Sequence, residues 1–120
     1  MFKVGQRVWV KSDKCFGVVK SIDVYGIYYN VSFENSPLGK TTTINDLHET
    51  ADDMFEKLGF EKERYNKIYG LFRKGDAVVD FELKEKIYQT FVYDEETVYD
   101  ISPELHLAIH QKGIELGWWE

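Results

Sequence analysis

The chain contains a single cysteine, Cys15, and two prolines, and it has no apolar run near the roughly 18 residues of a membrane-crossing helix. One cysteine excludes an internal disulfide and any zinc site built on several thiolates. So few prolines, with 43% hydrophobic and 30% charged residues, exclude a collagen-like, mucin-like or disordered chain. The segment Met1-Phe2-Lys3-Val4-Gly5 lacks the apolar stretch of a secretory leader, so a cytoplasmic location is expected. No nucleophile elbow, glycine-rich phosphate loop or serine–histidine arrangement is present.

What is there is 120 residues, enough for one domain or two very small modules sharing a core. The net charge of −6 is unevenly spread. Residues 1–45 carry six basic against three acidic side chains, a balance of +3, and residues 46–120 carry nine against 18, a balance of −9. The first part can approach an anion, whereas the rest is repelled by nucleic acid.

Residues 1–48 read as short strands. Val8 and Val10 alternate with Arg7, Trp9 and Lys11. Phe16–Ile22 is a second β-rich run, in which Gly17 marks a bend or bulge. From Ile27 to Phe33 the alternation places Ile27, Tyr29, Val31 and Phe33 inward and Tyr28 outward. Lys40–Asn45 forms a fourth strand of β-branched residues, and Asp46-Leu47-His48 a closing turn with Leu47 as its apolar plug. Strands this short are best accommodated in a closed or half-open barrel. Val4-Gly5-Gln6-Arg7-Val8-Trp9-Val10, the Phe16–Ile22 run and Val31-Ser32-Phe33-Glu34 resemble the opening of SH3/Tudor-like small barrels. Similar patterns occur in CarD-type transcription regulators and the C-terminal module of UvrD-type helicases. Gln6 stands where those barrels usually carry Asp. The resemblance covers about a third of the chain and implies a fold rather than an activity.

Residues 49–120 read as an α-β-β-β-β-α antiparallel meander with both helices on one face, so the expected fold class is α+β. Thr50 caps the first helix, Met54, Phe55 and Leu58 form its apolar stripe, and Gly59 stops it. Strands are predicted over 67–73, 76–83, 86–93 and 97–101. Ser102, Pro103 and Glu104 open the second helix, and Gly117 ends it. Ala51–Phe60, Ser102–His106 and Glu115–Trp118 resemble small proteins of Gram-positive bacteriophages and prophages.

Three groupings suit catalysis or metal binding, but each has a plainer account. Asp80, Glu82 and Lys84 share a strand face by the two-residue repeat, as the acid-x-lysine of some nucleases does. A solvated sheet face explains the same residues. His106 and His110 lie one helical turn apart, without the glutamate of the zinc-protease pattern, and read as surface histidines. Cys15, beside Lys14, has no histidine near it in sequence and reads as an inert turn thiol. The chain is therefore expected not to be an enzyme and to need no cofactor or metal.

Binding is the better expectation, and two surfaces compete for it. The first is the barrel face of Arg7, Trp9, Lys11 and Tyr28, an aromatic body flanked by cations, suited to stacking and phosphate contact. Its rival reading folds Trp9 over the barrel rim beneath the first helix. The second is acidic: Asp94, Glu95, Glu96, Asp100 and Glu104 interleaved with Tyr93 and Tyr99, able to mimic spaced phosphates in a basic groove. Its rival reading is a solvated turn. The expected function is that of a phage or prophage accessory protein binding a host protein, either transcription machinery or a defence nuclease. The alternative is a nucleic-acid-binding module.

Overall fold

Val8 and Val10 turn inward along β1 (Arg7–Val10), and every later strand of the first unit is placed by pairing outward from it. The computed structural model describes residues 2–92 and 100–119. Among these residues the fold is α+β, with two antiparallel sheets, one of them a curled half-barrel, and two helices. The chain divides into two units, Met1–Thr50 and Ala51–Glu120.

In the first unit β2 (Cys15–Ile22), β3 (Tyr28–Phe33) and β4 (Gly39–Thr43) form successive hairpins. A single 3-10 turn, Ile44–Asp46, then returns the chain to β5 (Leu47–Glu49), which pairs with the free side of β1. The strand order is β4-β3-β2-β1-β5. Val8, Val10, Val19, Tyr29, Val31 and Leu47 make its core, with Phe2, Cys15, Ile22 and Phe33 at the margin.

Three expectations are corrected. Ile27 precedes β3, sits in the turn and is exposed, because the strand alternation begins only at Tyr28. The bulge in β2 falls between Val19 and Ser21, not at Gly17. Gly17 is instead required by close approach: a Cβ there would stand 2.5 Å from Val31 Cγ1 and 2.9 Å from the Ser32 carbonyl oxygen. Leu47 does fill the core, but from a strand rather than a turn.

The second unit begins with α1 (Ala51–Lys57), which buries Ala51 and Phe55. It ends as its sequence requires: Gly59 takes φ +90°, and the Phe60 N–H returns to the Phe55 carbonyl at 3.0 Å. The strands are β6 (Glu61–Tyr65), β7 (Tyr69–Lys74), β8 (Ala77–Glu82) and β9 (Ile87–Val92), in spatial order β6-β7-β8-β9. β6 was not anticipated, because Glu61-Lys62-Glu63-Arg64-Tyr65 has no apolar alternation and is exposed along its length. It forms by pairing with β7 through a turn in which the Asn66 carboxamide oxygen accepts from the Ile68 and Tyr69 N–H groups, at 2.7 and 3.1 Å. The strand predicted over 97–101 lies mostly outside the described residues, and Asp100 and Ile101 are not in a strand.

α2 (Pro103–Glu115) is capped as expected: the Ser102 hydroxyl accepts from the Leu105 N–H at 3.1 Å, and Pro103 occupies the first turn. One apolar cluster joins Ala51 and Phe55 of α1, Phe72, Ala77, Val79 and Phe81 of the sheet, and Leu105, Ala108 and Ile109 of α2. Phe55 stacks on Phe72 at 4.2 Å between centroids, and Phe81 meets both rings edge-on at 6.0 Å. The opposite sheet face is not wholly wet as expected, since Val78 on it is buried.

Candidate interaction surfaces

Trp9 and Phe16 stand opposite each other across the β1–β2 ladder, on the face turned away from Val8 and Val10. Their rings meet edge-on at 5.0 Å, and Trp9 is only 5% exposed. The expectation of an outward-facing stacking tryptophan is therefore corrected. The Arg7 guanidinium lies 3.8 Å from the Phe16 centroid. It is also held in a two-pronged ion pair by Glu34, at 2.5 Å from Nε and 3.0 Å from Nη2. Lys11 is exposed just beyond β1, and its N–H donates to the Asp46 carbonyl at 2.8 Å. Tyr28 is half-exposed on the same face. Arg7 pairs with Val18 and Val18 with Ser32, so Tyr28 lies four residues along β3 from that row. Four residues of strand span about 13 Å. The four barrel-face residues therefore do not form one site.

A polar cluster that the sequence did not announce lies on the first unit. The Lys40 ammonium contacts the Asp13 and Asp46 carboxylates, each at 2.8 Å, and the Ser12 hydroxyl at 2.5 Å. Asp46 also accepts from the Ser12 N–H (2.9 Å), the Ser12 hydroxyl (3.0 Å) and the Thr42 hydroxyl (2.9 Å). Burial pushes the Asp46 carboxyl up, but Lys40, Ser12 and Thr42 outweigh it and bring the pKa down to about 2. The hydrogen bonds that Lys40 donates to Asp13 and Asp46 raise its own pKa in turn. These charges are spent on closing the β1–β2 turn against the 3-10 turn and β4.

At the far end of the sheet, the turn between β2 and β3 presents apolar side chains to solvent. Val24 is 93% exposed, Tyr25 81%, and Ile27 and Tyr28 each 52%. The Asp23 carboxylate accepts from the Ile27 and Tyr28 N–H groups at 2.8 and 3.1 Å, the Gly26 N–H donates to the Asp23 carbonyl at 3.0 Å, and Gly26 takes φ +70°. Sequence reading missed this surface by assigning Ile27 to the core. The Asp23-x-x-Gly26 spacing was the available signal.

In the second unit, Asp100 and Glu104 of the expected acidic surface are exposed, whereas Tyr93, Asp94, Glu95, Glu96 and Tyr99 lie outside the described residues. β8 ends at Glu82 and Lys84 lies in the following turn, so the acid-x-lysine does not share a strand face as expected. Asp80 accepts from the Gln89 carboxamide at 3.3 Å. His106 and His110 are exposed, with ring centroids 6.3 Å apart, and His110 Nδ1 accepts from the Trp119 indole N–H at 2.9 Å. Cys15 opens β2; burial and Asp13 raise its thiol pKa, which disfavours the thiolate. Among the described residues, no three His, Cys, Asp or Glu side chains converge to hold a metal ion, and no helix is long and apolar enough to cross a membrane.

The same unit buries a cation. Lys112 of α2 is 5% exposed, its ammonium 3.4 Å from Asp52 and 4.3 Å from the Tyr65 ring centroid. Burial raises the neighbouring Glu115 carboxyl, which accepts from the Ala51 N–H at 2.8 Å and from Gln111 at 3.0 Å. These groups tie α1 to α2. No protein-family model, curated protein or solved structure matches the chain.

Proposed function

We propose that this chain is a non-enzymatic accessory protein of phage or prophage type, acting in the bacterial cytoplasm by binding a host protein. The two target classes are the transcription machinery and a defence nuclease, the latter inhibited in the manner of an anti-CRISPR protein. The phage assignment rests on the resemblance of Ala51–Phe60, Ser102–His106 and Glu115–Trp118. The first unit is read as an SH3/Tudor-type barrel, supported by the position of β1 between β2 and β5 and by the single 3-10 turn before β5.

The observation that carries the protein-binding reading is the burial of Trp9. A nucleic-acid module of this kind needs an exposed aromatic platform beside free cations. Here the indole is enclosed and Arg7 is engaged by Glu34 and Phe16. The net charge of −6 further opposes approach to a polyanion.

The test is a titration of the whole chain with labelled single- and double-stranded DNA across salt concentrations. It is run beside run-off transcription by a bacterial RNA polymerase and DNA cleavage by an RNA-guided nuclease. The expected result is weak DNA binding and inhibition of one of the two enzymes. Tight, salt-sensitive DNA binding that Arg7→Ala or Lys11→Ala weakens overturns the reading.

A further inference from the structure

We infer that the tip of the β2–β3 hairpin is the element this chain inserts into an uncharged, apolar cleft of its protein partner. The inference rests on the protein-binding reading and names its contact surface. Val24, Tyr25, Ile27 and Tyr28 project from a turn that is fixed before any partner arrives. Asp23 secures it through two side-chain bonds to backbone N–H groups, and the Asp23 N–H donates to the Tyr28 carbonyl at 3.0 Å. A turn already held in one conformation loses little freedom on binding, so its apolar contacts are retained as affinity. Exposed tyrosines on a rigid support are also the side chains most often central to protein interfaces.

The chemistry of the occupant follows from charge and shape. Residues 24–30 carry no formal charge, and neither do Thr41, Thr42 and Thr43, the part of β4 paired with Tyr28–Asn30. The nearest acid, Asp23, is occupied by the turn itself. Nothing at the tip complements a phosphate, so nucleic acid and anionic lipid are both poor occupants for a chain of net charge −6. A second copy is also a poor occupant: its groove beside β3 and β4 is lined by Lys20 and Lys40, and its groove at the end of α1 by Asp52, Glu56, Glu61 and Lys62, so neither is an uncharged, apolar cleft. A convex tip this small gains most when a cleft encloses it on several sides.

The experiment uses the whole chain, immobilised, against lysate of a Gram-positive bacterium at 0.15 M and 1 M NaCl. A benzophenone amino acid in place of Tyr28 marks what touches the tip, and one in place of Ser36, exposed in the β3–β4 loop at the opposite end of the same sheet, serves as control. The expected result is one heterologous protein crosslinked through position 28 but not position 36, and retained at both salt concentrations. Val24→Ser/Tyr25→Ser should lower its retention about 100-fold, and Asp23→Ala, which loosens the turn while keeping its apolar side chains, about 10-fold. Because these side chains face solvent, an unchanged NMR fingerprint elsewhere verifies that each variant is folded. Co-sedimentation with phosphatidylglycerol/phosphatidylethanolamine vesicles that the double variant abolishes overturns the inference. So does a crosslinked adduct of twice the chain's own mass. If a partner is retained equally by wild type and double variant, the tip assignment fails and the protein-binding reading stands. If no protein is retained by either, both fall.

Discussion

Removing the Asp46 carboxylate should destabilise the first unit and also abolish most of its acid sensitivity. Its side chain is 16% exposed and receives four bonds, from Lys40, the Ser12 N–H and hydroxyl, and Thr42. Lowering its pKa from 3.8 to about 2 corresponds to roughly 2 kcal/mol of folding free energy, nearer 1–2 kcal/mol once solvent screening is allowed for. A carboxyl whose folded pKa is depressed stabilises the fold above its unfolded pKa. That contribution is lost as pH falls from about 4 toward 2. Lys40 is raised by the same bonds, so its contribution is complete at neutral pH and is lost only as alkaline pH passes its folded pKa. Asp46→Ala should cost about 2–3 kcal/mol at pH 7, since the ion pair and three hydrogen bonds go together. NMR-monitored urea unfolding, read at the Trp9 indole resonance of this unit, measures both effects. If the variant loses as much stability between pH 4 and pH 2 as the wild type does, the assignment of that acid sensitivity to Asp46 is wrong.

Two further predictions concern the second unit. Asp52→Ala leaves the Lys112 ammonium buried without its carboxylate and should cost about 3 kcal/mol, whereas Lys112→Met, which removes the charge, should cost less than half as much in urea unfolding. The Trp119 ring lies where a Gly113 Cβ would stand, 1.9 Å from Cζ2, so Gly113→Ala should displace the indole, shift its fluorescence toward that of exposed tryptophan and break its bond to His110.

Much of the architecture was legible because it depends on local chemistry. A serine followed by proline opens α2, a glycine able to adopt φ +90° closes α1, and the alternation of Val8 and Val10 places β1. What escaped was decided by neighbours distant in sequence. β6 has no pattern of its own and exists because β7 offers it a partner. Alternation correctly put Trp9 on the face opposite Val8, but facing away from the core is not the same as facing water. Phe16 and Arg7, arriving from β2 and from the start of β1, occupy that face as well. The Lys40, Asp13 and Asp46 cluster joins residues up to 33 positions apart, and no spacing rule announces such convergence.

The position of β1 between β2 and β5 also sets an order of assembly. β1, β2 and β3 each pair with the next strand across a short turn, so they can zip together as the chain leaves the ribosome. Val10 must instead find Leu47, and Val8 must find Glu49. Loops that long close late, after the hairpins have formed, because their ends must first be brought together at an entropic cost. The last seam to close is the first to open, and β5 is only three residues long. An opened seam exposes an edge of β1 with unpaired backbone groups, a template that β5 of another molecule fits as well as its own. The first unit is thus built so that strand exchange at high concentration begins at β5.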